Sequence, residues 1–185
     1  MEMNFWQGQK IRLRGVEPED ADVFFRWNTD SEMGRNMEFL WPPVSRAQVR
    51  QQVAEQALQK LERDEFQWII EDAAGTVVGS ISTHHCDARA GTFSYGVNVA
   101  AEHQRRGYAS EAIRLVIKYY FEELRYQKVT VGVFSHNAAS IALHERLGFT
   151  REGTLRRMGF TRGAHFDLRY YGLTREEWSA SPLKL

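Results

Sequence analysis

The stretch from Thr92 to Tyr120 constrains the fold more than any other part of the chain. From Ala109 onward, apolar residues recur at Ala112, Ile113, Val116, Ile117 and Tyr120, which is the spacing of one face of a long amphipathic helix. Thr92 to Val99 before it and Lys128 to Val133 after it are β-rich runs. Ala138 to Leu147 then predicts a further helix, stopped by Gly148 as its left-handed terminus. Strand, helix, strand and helix in that order imply a βαβα unit. The chain is therefore predicted to mix helix with sheet.

The flanking segments extend that pattern. Lys10 to Gly15 alternates Ile11 and Leu13 with polar residues, as a half-buried strand does. Pro18, with Glu19 and Asp20 in the first turn, opens a predicted helix to about Asn28. Ser31 to Val44 contains Gly34, Pro42 and Pro43 without a period and reads as a loop. Ser45 then caps a helix to about Arg63, with Val49, Val53, Ala57 and Leu61 in one stripe. Phe66 to Glu71 and Thr76 to Thr83 form a predicted hairpin about Asp72 to Gly75, which with Thr92 to Val99 makes an antiparallel meander. Two last strands, Thr150 to Arg156 and His165 to Leu173, surround a turn at Arg162 and Gly163. Thr174 and Glu177 form a capping box for a terminal helical turn.

At ~150 residues per domain, 185 residues make one domain, residues 1–185. Lys plus Arg equal Asp plus Glu at 24 each, so the basic excess that a phosphate-backbone binder uses is missing. Nucleic acid is disfavoured as a partner. The apolar runs fall far short of the ~20 residues of a membrane helix, and no basic region followed by an apolar one marks a secretory signal. With one cysteine, Cys86, the expected setting is the cytoplasm. His84, His85 and Cys86 are adjacent in a strand and point to opposite faces, so no metal site is expected there.

Chemistry concentrates between the strand and the long helix, at Gln104, Arg105, Arg106, Gly107, Tyr108, Ala109 and Ser110. A helix start leaves backbone N–H groups without partners, and its positive end favours an anion such as a pyrophosphate. Gly107 and the small Ala109 allow close approach of such a group. The plain alternative is a solvated loop. Neither G-x-x-x-x-G-K-[ST] nor a strand followed by G-x-G-x-x-G occurs, which excludes a nucleotide triphosphatase and a dinucleotide fold.

Gln104-Arg105-Arg106-Gly107-Tyr108-Ala109 resembles the [Gln/Arg]-x-x-Gly-x-[Gly/Ala] signature of the GNAT superfamily of acyl-CoA-dependent N-acyltransferases. Asn137-Ala138-Ala139-Ser140 leading to Leu147-Gly148-Phe149 is similar to that family's Asn-x-x-Ser helix. Arg26 to Glu32, Glu152 to Arg156, Asp167, Tyr171, Leu173 and Glu177-Trp178 resemble the branch of ribosomal-protein N-terminal alanine acetyltransferases and relatives acting on other small amines.

That resemblance implies a GNAT-like α/β fold, a central and mostly antiparallel sheet with one splayed parallel strand pair, flanked by helices. It implies acetyl-CoA as co-substrate and no metal. The splayed strands would be Thr92 to Val99 and Lys128 to Val133. Main-chain atoms of Val97 and Val99 would meet the pantetheine arm, amides from Arg105 to Ser110 the pyrophosphate, and the Asn137 amide the pantetheine. Asn137 reads equally as a helix cap. Relatives place a Tyr where this chain has His144, so the proton for the departing thiolate would come from His144 or from Ser140, one turn earlier; the alternative is that both only pack and cap. Glu102, His84, His165 and Asp167 are general-base candidates by residue type alone.

Trp27 and Trp41 fall where the family builds its acceptor pocket. The activity implied is acetyl transfer to a primary amine, either a protein N-terminus or a small molecule, and a homodimer is compatible with it. One alternative is a polyamine or antibiotic-type acetyltransferase, to which Asp30, Glu32, Glu38 and Glu65 could contribute carboxylates. The other is a CoA-binding module with weak catalysis. Arg151, Arg156, Arg157, Arg162 and Arg169 make a basic tail segment, either a solvated edge or an attraction for an acidic acceptor.

Overall fold

The structure, a computed structural model, describes residues 4–37, 39–60 and 63–181. Seven strands share one sheet in the order β1-β2-β3-β4-β5-β7-β6. They are β1 (Ile11–Arg14), β2 (Gln67–Asp72), β3 (Val77–Asp87), β4 (Thr92–Val99), β5 (Lys128–Phe134), β6 (Thr150–Thr161) and β7 (Ala164–Thr174). Six helices accompany them: α1 (Ala21–Thr29), α2 (Ser31–Met37), α3 (Arg46–Ala57), α4 (Tyr108–Lys118), α5 (Ala138–Arg146) and α6 (Arg175–Ala180). The described residues group into two compact units, those within 4–82 with 97–113, and those within 83–96 with 114–181.

In the first unit β1 pairs antiparallel with β2, and β2 with the start of β3. Val16, Ala21, Val49, Val53 and Ile69 make a buried cluster against which Phe24 and Phe25 pack. Beside it lies a charged knot. The Arg14 guanidinium grips Asp20 through two hydrogen bonds of 2.8 Å, and Glu71 accepts from both Arg12 and Arg14. Burial pushes the Glu71 carboxyl up, but the hydrogen bonds from Arg14 and Arg12 outweigh it and hold the pKa below the ordinary value.

The predicted loop from Ser31 is instead the helix α2. Asp30 starts it, its Oδ1 accepting from the N–H groups of Glu32 and Met33 at 2.9 and 3.1 Å. Met33 is buried and anchors it. Helix α3 ends at Ala57, short of the expected Arg63, and the chain turns through left-handed Arg63 and Asp64. Its Val49 and Val53 are buried as predicted, whereas Leu61 lies outside the described residues.

The second unit holds the parallel pair. Strands β4 and β5 pair at Thr92↔Lys128 and Phe93↔Val129, at the beginnings of both strands. On its other side β5 is paired with β7 along its whole length, from Lys128↔Thr174 to Phe134↔Leu168. A short parallel ladder beside a complete antiparallel one is what diverging strands produce. After α4 a wide π turn, Tyr119–Glu123, buries consecutive Tyr120 and Phe121. Phe93 stacks on Tyr120 at 4.0 Å, and Tyr126 meets both rings edge-on. The last hairpin runs further than expected, to Thr161 on β6, because β6 carries bulges that absorb its lost alternation. The capping box of Thr174 and Glu177 is present at α6.

Candidate active site

In the first unit the end of β4 is fixed before the chain reaches the basic loop. Asn98 is buried, its Oδ1 accepting from the Ser80 N–H at 3.1 Å and from the Ser80 hydroxyl. Strand alternation then sets Val97 and Val99 together on the opposite, half-buried side. A single 3₁₀ turn, Ala101–His103, carries the chain away from the sheet. Gln104 reaches back, its Nε2 donating to the Val99 carbonyl at 3.1 Å, so that loop and strand end form one piece.

Two residues of the loop are left-handed, Arg105 at φ +62° and Gly107 at φ +88°. Arg106 and Gly107 are exposed. Lys10 Nζ and Arg106 Nη2 each close a backbone carbonyl, of Arg106 and of Glu102, at 3.1 Å. The first helical hydrogen bond of α4 runs from the Glu111 N–H to the Gly107 carbonyl at 3.1 Å. The N–H groups of Tyr108, Ala109 and Ser110 therefore open the helix without partners within it. Glu111, itself buried, accepts from the N–H groups of Gln9 and Lys10 and anchors the helix start from behind. Aligned amides, the positive end of α4 and three cationic side chains, Lys10, Arg105 and Arg106, suit a phosphate-bearing group.

The first unit also holds both tryptophans named above. Trp41 is 64% exposed, stands edge-on to Phe39 and lines a cavity of about 810 Å³ with Phe24, Asn28, Val53 and Gln56. Trp27 packs on Phe24 at 5.2 Å and is not part of that lining. Among the proposed polyamine carboxylates, Asp30 is taken up by the start of α2 and Glu32 pairs with Arg35 at 2.9 Å. Glu38 lies outside the described residues.

In the second unit Asn137 caps α5, its Oδ1 accepting from the Ser140 N–H at 3.0 Å. The cap uses only the carbonyl half of the amide. His144, 3% exposed, lies on the same helix face one turn on. Its Nδ1 is 2.7 Å from the Ser140 carbonyl and 3.3 Å from the Ser140 Oγ. A carbonyl only accepts, so Nδ1 carries the hydrogen and Nε2 the lone pair. Burial pushes the imidazole pKa down, against a smaller upward effect of the Ser140 carbonyl. Burial thus favours the neutral ring, and Nε2 is buried and unpartnered. Nδ1, with its hydrogen given to the nearer Ser140 carbonyl, has no lone pair to accept from the Ser140 hydroxyl, so that hydroxyl hydrogen points elsewhere.

The general-base candidates lie on the 3₁₀ turn, on β3 and on β7. Glu102 is exposed in the 3₁₀ turn. His84 stands edge-on to His85, His165 Nδ1 lies 3.3 Å from the Gly159 carbonyl, and Asp167 accepts from the Arg157 N–H. Among the described residues, no group of three His, Cys, Asp or Glu side chains could hold a metal, and no helix is long and apolar enough to cross a membrane. Sequence reasoning missed Glu111 and Asn98, whose only signal is a polar residue interrupting an apolar pattern.

Residues 10–150 match the acetyltransferase (GNAT) domain family. The chain belongs to the GNAT family. It is 42% identical over 178 residues to YokL of Bacillus subtilis, named as an SPbeta prophage-derived uncharacterized N-acetyltransferase, covering 96% of this chain and 97% of that one. It is 36% identical over 104 residues to YdaF of the same bacterium, named as a proposed ribosomal N-acetyltransferase, covering 56% of this chain and 57% of that one. The fold is also that of a spermidine N-acetyltransferase from Vibrio cholerae solved with CoA and spermine, with a TM-score of 0.78 at 21% identity, covering 92% of this chain and 98% of that one. The GNAT chain described here is accordingly an N-acetyltransferase, with the family's sheet and its parallel β4 and β5.

Proposed function

We propose that this acetyltransferase, with residues 1–185 as its working domain in the cytosol, moves an acetyl group from acetyl-CoA to a primary amine, either a peptide N-terminus or a small amine. The observation that carries the reading is the loop from Gln104 to Ser110, with its two left-handed residues and the open N–H groups at the start of α4. A phosphate fits there because Gly107 is exposed and offers no Cβ.

Acetyl-CoA supplies the acetyl group as a thioester. The backbone of Val97 and Val99 binds its pantetheine arm, and amides from Arg105 to Ser110 take the pyrophosphate. The Nδ2 of Asn137, free of the cap, donates to the arm. The Val99 N–H polarises the acetyl carbonyl, an oxyanion-type role in which the donor meets charge that grows in the transition state. As the amine forms the C–N bond and the C–S bond breaks, the proton shed by the amine nitrogen passes to the departing thiolate through the Ser140 hydroxyl, which ends as it began, and His144 orients Ser140. Burial disfavours the protonated His144 ring that a general acid needs, so the orienting role goes to His144 and the proton relay to Ser140. Of the carboxylates in the polyamine reading, Asp30 starts α2 and Glu32 pairs with Arg35.

A panel of peptides and small amines, assayed for thiol release from acetyl-CoA, tests the reading. Turnover of at least one primary amine is expected. CoA binding without turnover of any amine would leave the weakly catalytic module in its place.

A further inference from the structure

Between Leu155↔Leu168 and Gly159↔Phe166 the strand β6 advances by four residues while β7 advances by two. The excess is extruded as a bulge at Arg156, Arg157 and Met158. Bulges re-aim side chains, and this one is held open. Arg157 is left-handed at φ +57°, a conformation that L residues seldom keep unless the surroundings enforce it. Asp167 supplies that enforcement, its Oδ1 accepting from the Arg157 N–H at 2.9 Å. Asp167 is itself locked to the end of β5, since its N–H donates to the Ser135 Oγ at 3.0 Å and its carbonyl accepts from the Ser135 N–H at 2.9 Å. Ser135 lies two residues before Asn137, the cap of α5. The bulge is thus tied to the turn that begins the Ser140 helix.

The bulge lines a surface cavity of about 690 Å³ with Thr154, Leu155 and Asp167. Met158 and Phe160 are each more than half exposed beside it. Among the described residues neither Arg156 nor Arg157 has a carboxylate within ion-pair distance. Two guanidinium charges and one carboxylate leave a single positive charge on the wall. That complements a monoanionic carboxylate better than a dianionic phosphate, and the planar guanidinium matches it in shape.

We infer that the β6 bulge is a carboxylate-recognition element that selects amine acceptors carrying an acidic group together with apolar surface. The inference rests on the acetyl-transfer reading given above and names the substrate class for it. Arg156 and Arg157 bind the acceptor carboxylate, and Asp167 positions them.

Two short peptides test it, each with a free N-terminal alanine, one followed by two glutamates and the other by two glutamines. The wild type is expected to prefer the glutamate peptide in kcat/KM by about tenfold, the equivalent of one charge-assisted hydrogen bond. In the Arg156→Gln, Arg157→Gln double variant that preference falls to near unity, through KM. Asp167→Ala, which frees the Arg157 N–H, loses the preference too, whereas Asp167→Asn, which keeps an acceptor oxygen, retains it. A merely structural Asp167 would lower the melting temperature and leave the ratio of the two peptides unchanged. Wild-type indifference to the two peptides, or equal losses on both in the double variant, overturns the inference.

An N-acetylated glutamate peptide, unable to react, separates this failure from failure of the acetyl-transfer reading. Binding of it to the wild type but not to the double variant, by calorimetry, sustains the site even if no amine is turned over. Turnover of both peptides with no such binding difference removes the site and leaves the enzyme.

Discussion

Gly107→Val tests the cofactor loop where the physics is simplest. At φ +88° a valine pays the left-handed penalty of an L residue, about 1–2 kcal/mol, and its branched Cβ makes that a lower bound. Sterics add little, because the nearest atom to a new Cβ is Lys10 Nζ at 3.1 Å, the far end of a flexible side chain. The loop then either holds its shape, with a melting temperature lower by about 2–8 °C for a domain of this size, or relaxes. Relaxation carries the neighbouring amides out of alignment. Loss of even two charge-assisted N–H to phosphate bonds, at about 1.5 kcal/mol each, weakens CoA binding by about a hundredfold. Gly163→Val is the control, since Gly163 has φ +77° and nothing within 4 Å, but lies in the β6–β7 turn. Calorimetric titration with CoA and thermal melting of both variants are the assays. Gly107→Val is expected to lose CoA affinity, and Gly163→Val to lose only stability. A folded Gly107→Val that binds CoA as the wild type does would refute the assignment of the loop to the pyrophosphate.

Three further outcomes are expected. Asn137→Asp keeps the cap on α5, so its melting temperature stays close to that of the wild type, but it lacks the amide donor and should bind CoA about tenfold more weakly; equal affinity would leave Asn137 only its cap. Ser140→Ala should lower kcat by about 10²-fold or more with little change in CoA affinity, and His144→Ala should lower kcat less while costing about 2–4 kcal/mol of stability at its buried site; the reverse order of kcat losses would make His144 the acid. Because burial lowers the His144 pKa below its ordinary 6.5, the unfolded chain takes up a proton that the folded chain resists as pH falls below that value. Wild-type stability should therefore decline between pH 7.5 and 5.5 more than that of His144→Phe, and parallel declines in calorimetry would show that His144 does not titrate in this way.

The parts of the fold that show in the sequence are those where one physical effect dominates. Helix α4 shows because its buried face is wide and regular, from Ala112 to Ile117. Asn137 shows because a cap needs only its own residue type three positions before Ser140. Helix α2 is hidden because Met33 is its one buried residue and because Gly34 reads as a breaker, whereas Asp30 supplies the start. The end of β6 is hidden because Arg156 to Met158 leave the ladder and are exposed, so no alternation survives to be read. Spacing places Ser140 and His144 on one face, but the tautomer of His144 depends on the Ser140 carbonyl and on burial, which only the fold supplies.

Those hidden parts bear on why the loop can act as a site at all. An anion gains from free amides only if they are already aligned, since ordering a loop on binding costs part of the interaction. Here the alignment is made during folding, by groups behind the loop. Asn98 ties the end of β4 to Ser80, Gln104 ties the loop to the Val99 carbonyl, and Glu111 ties the first turn of α4 to Gln9 and Lys10. None of these side chains has to touch the ligand. Each instead removes one way for the loop to leave its shape, so the left-handed strain of Arg105 is sustained by hydrogen bonds made outside the open amides.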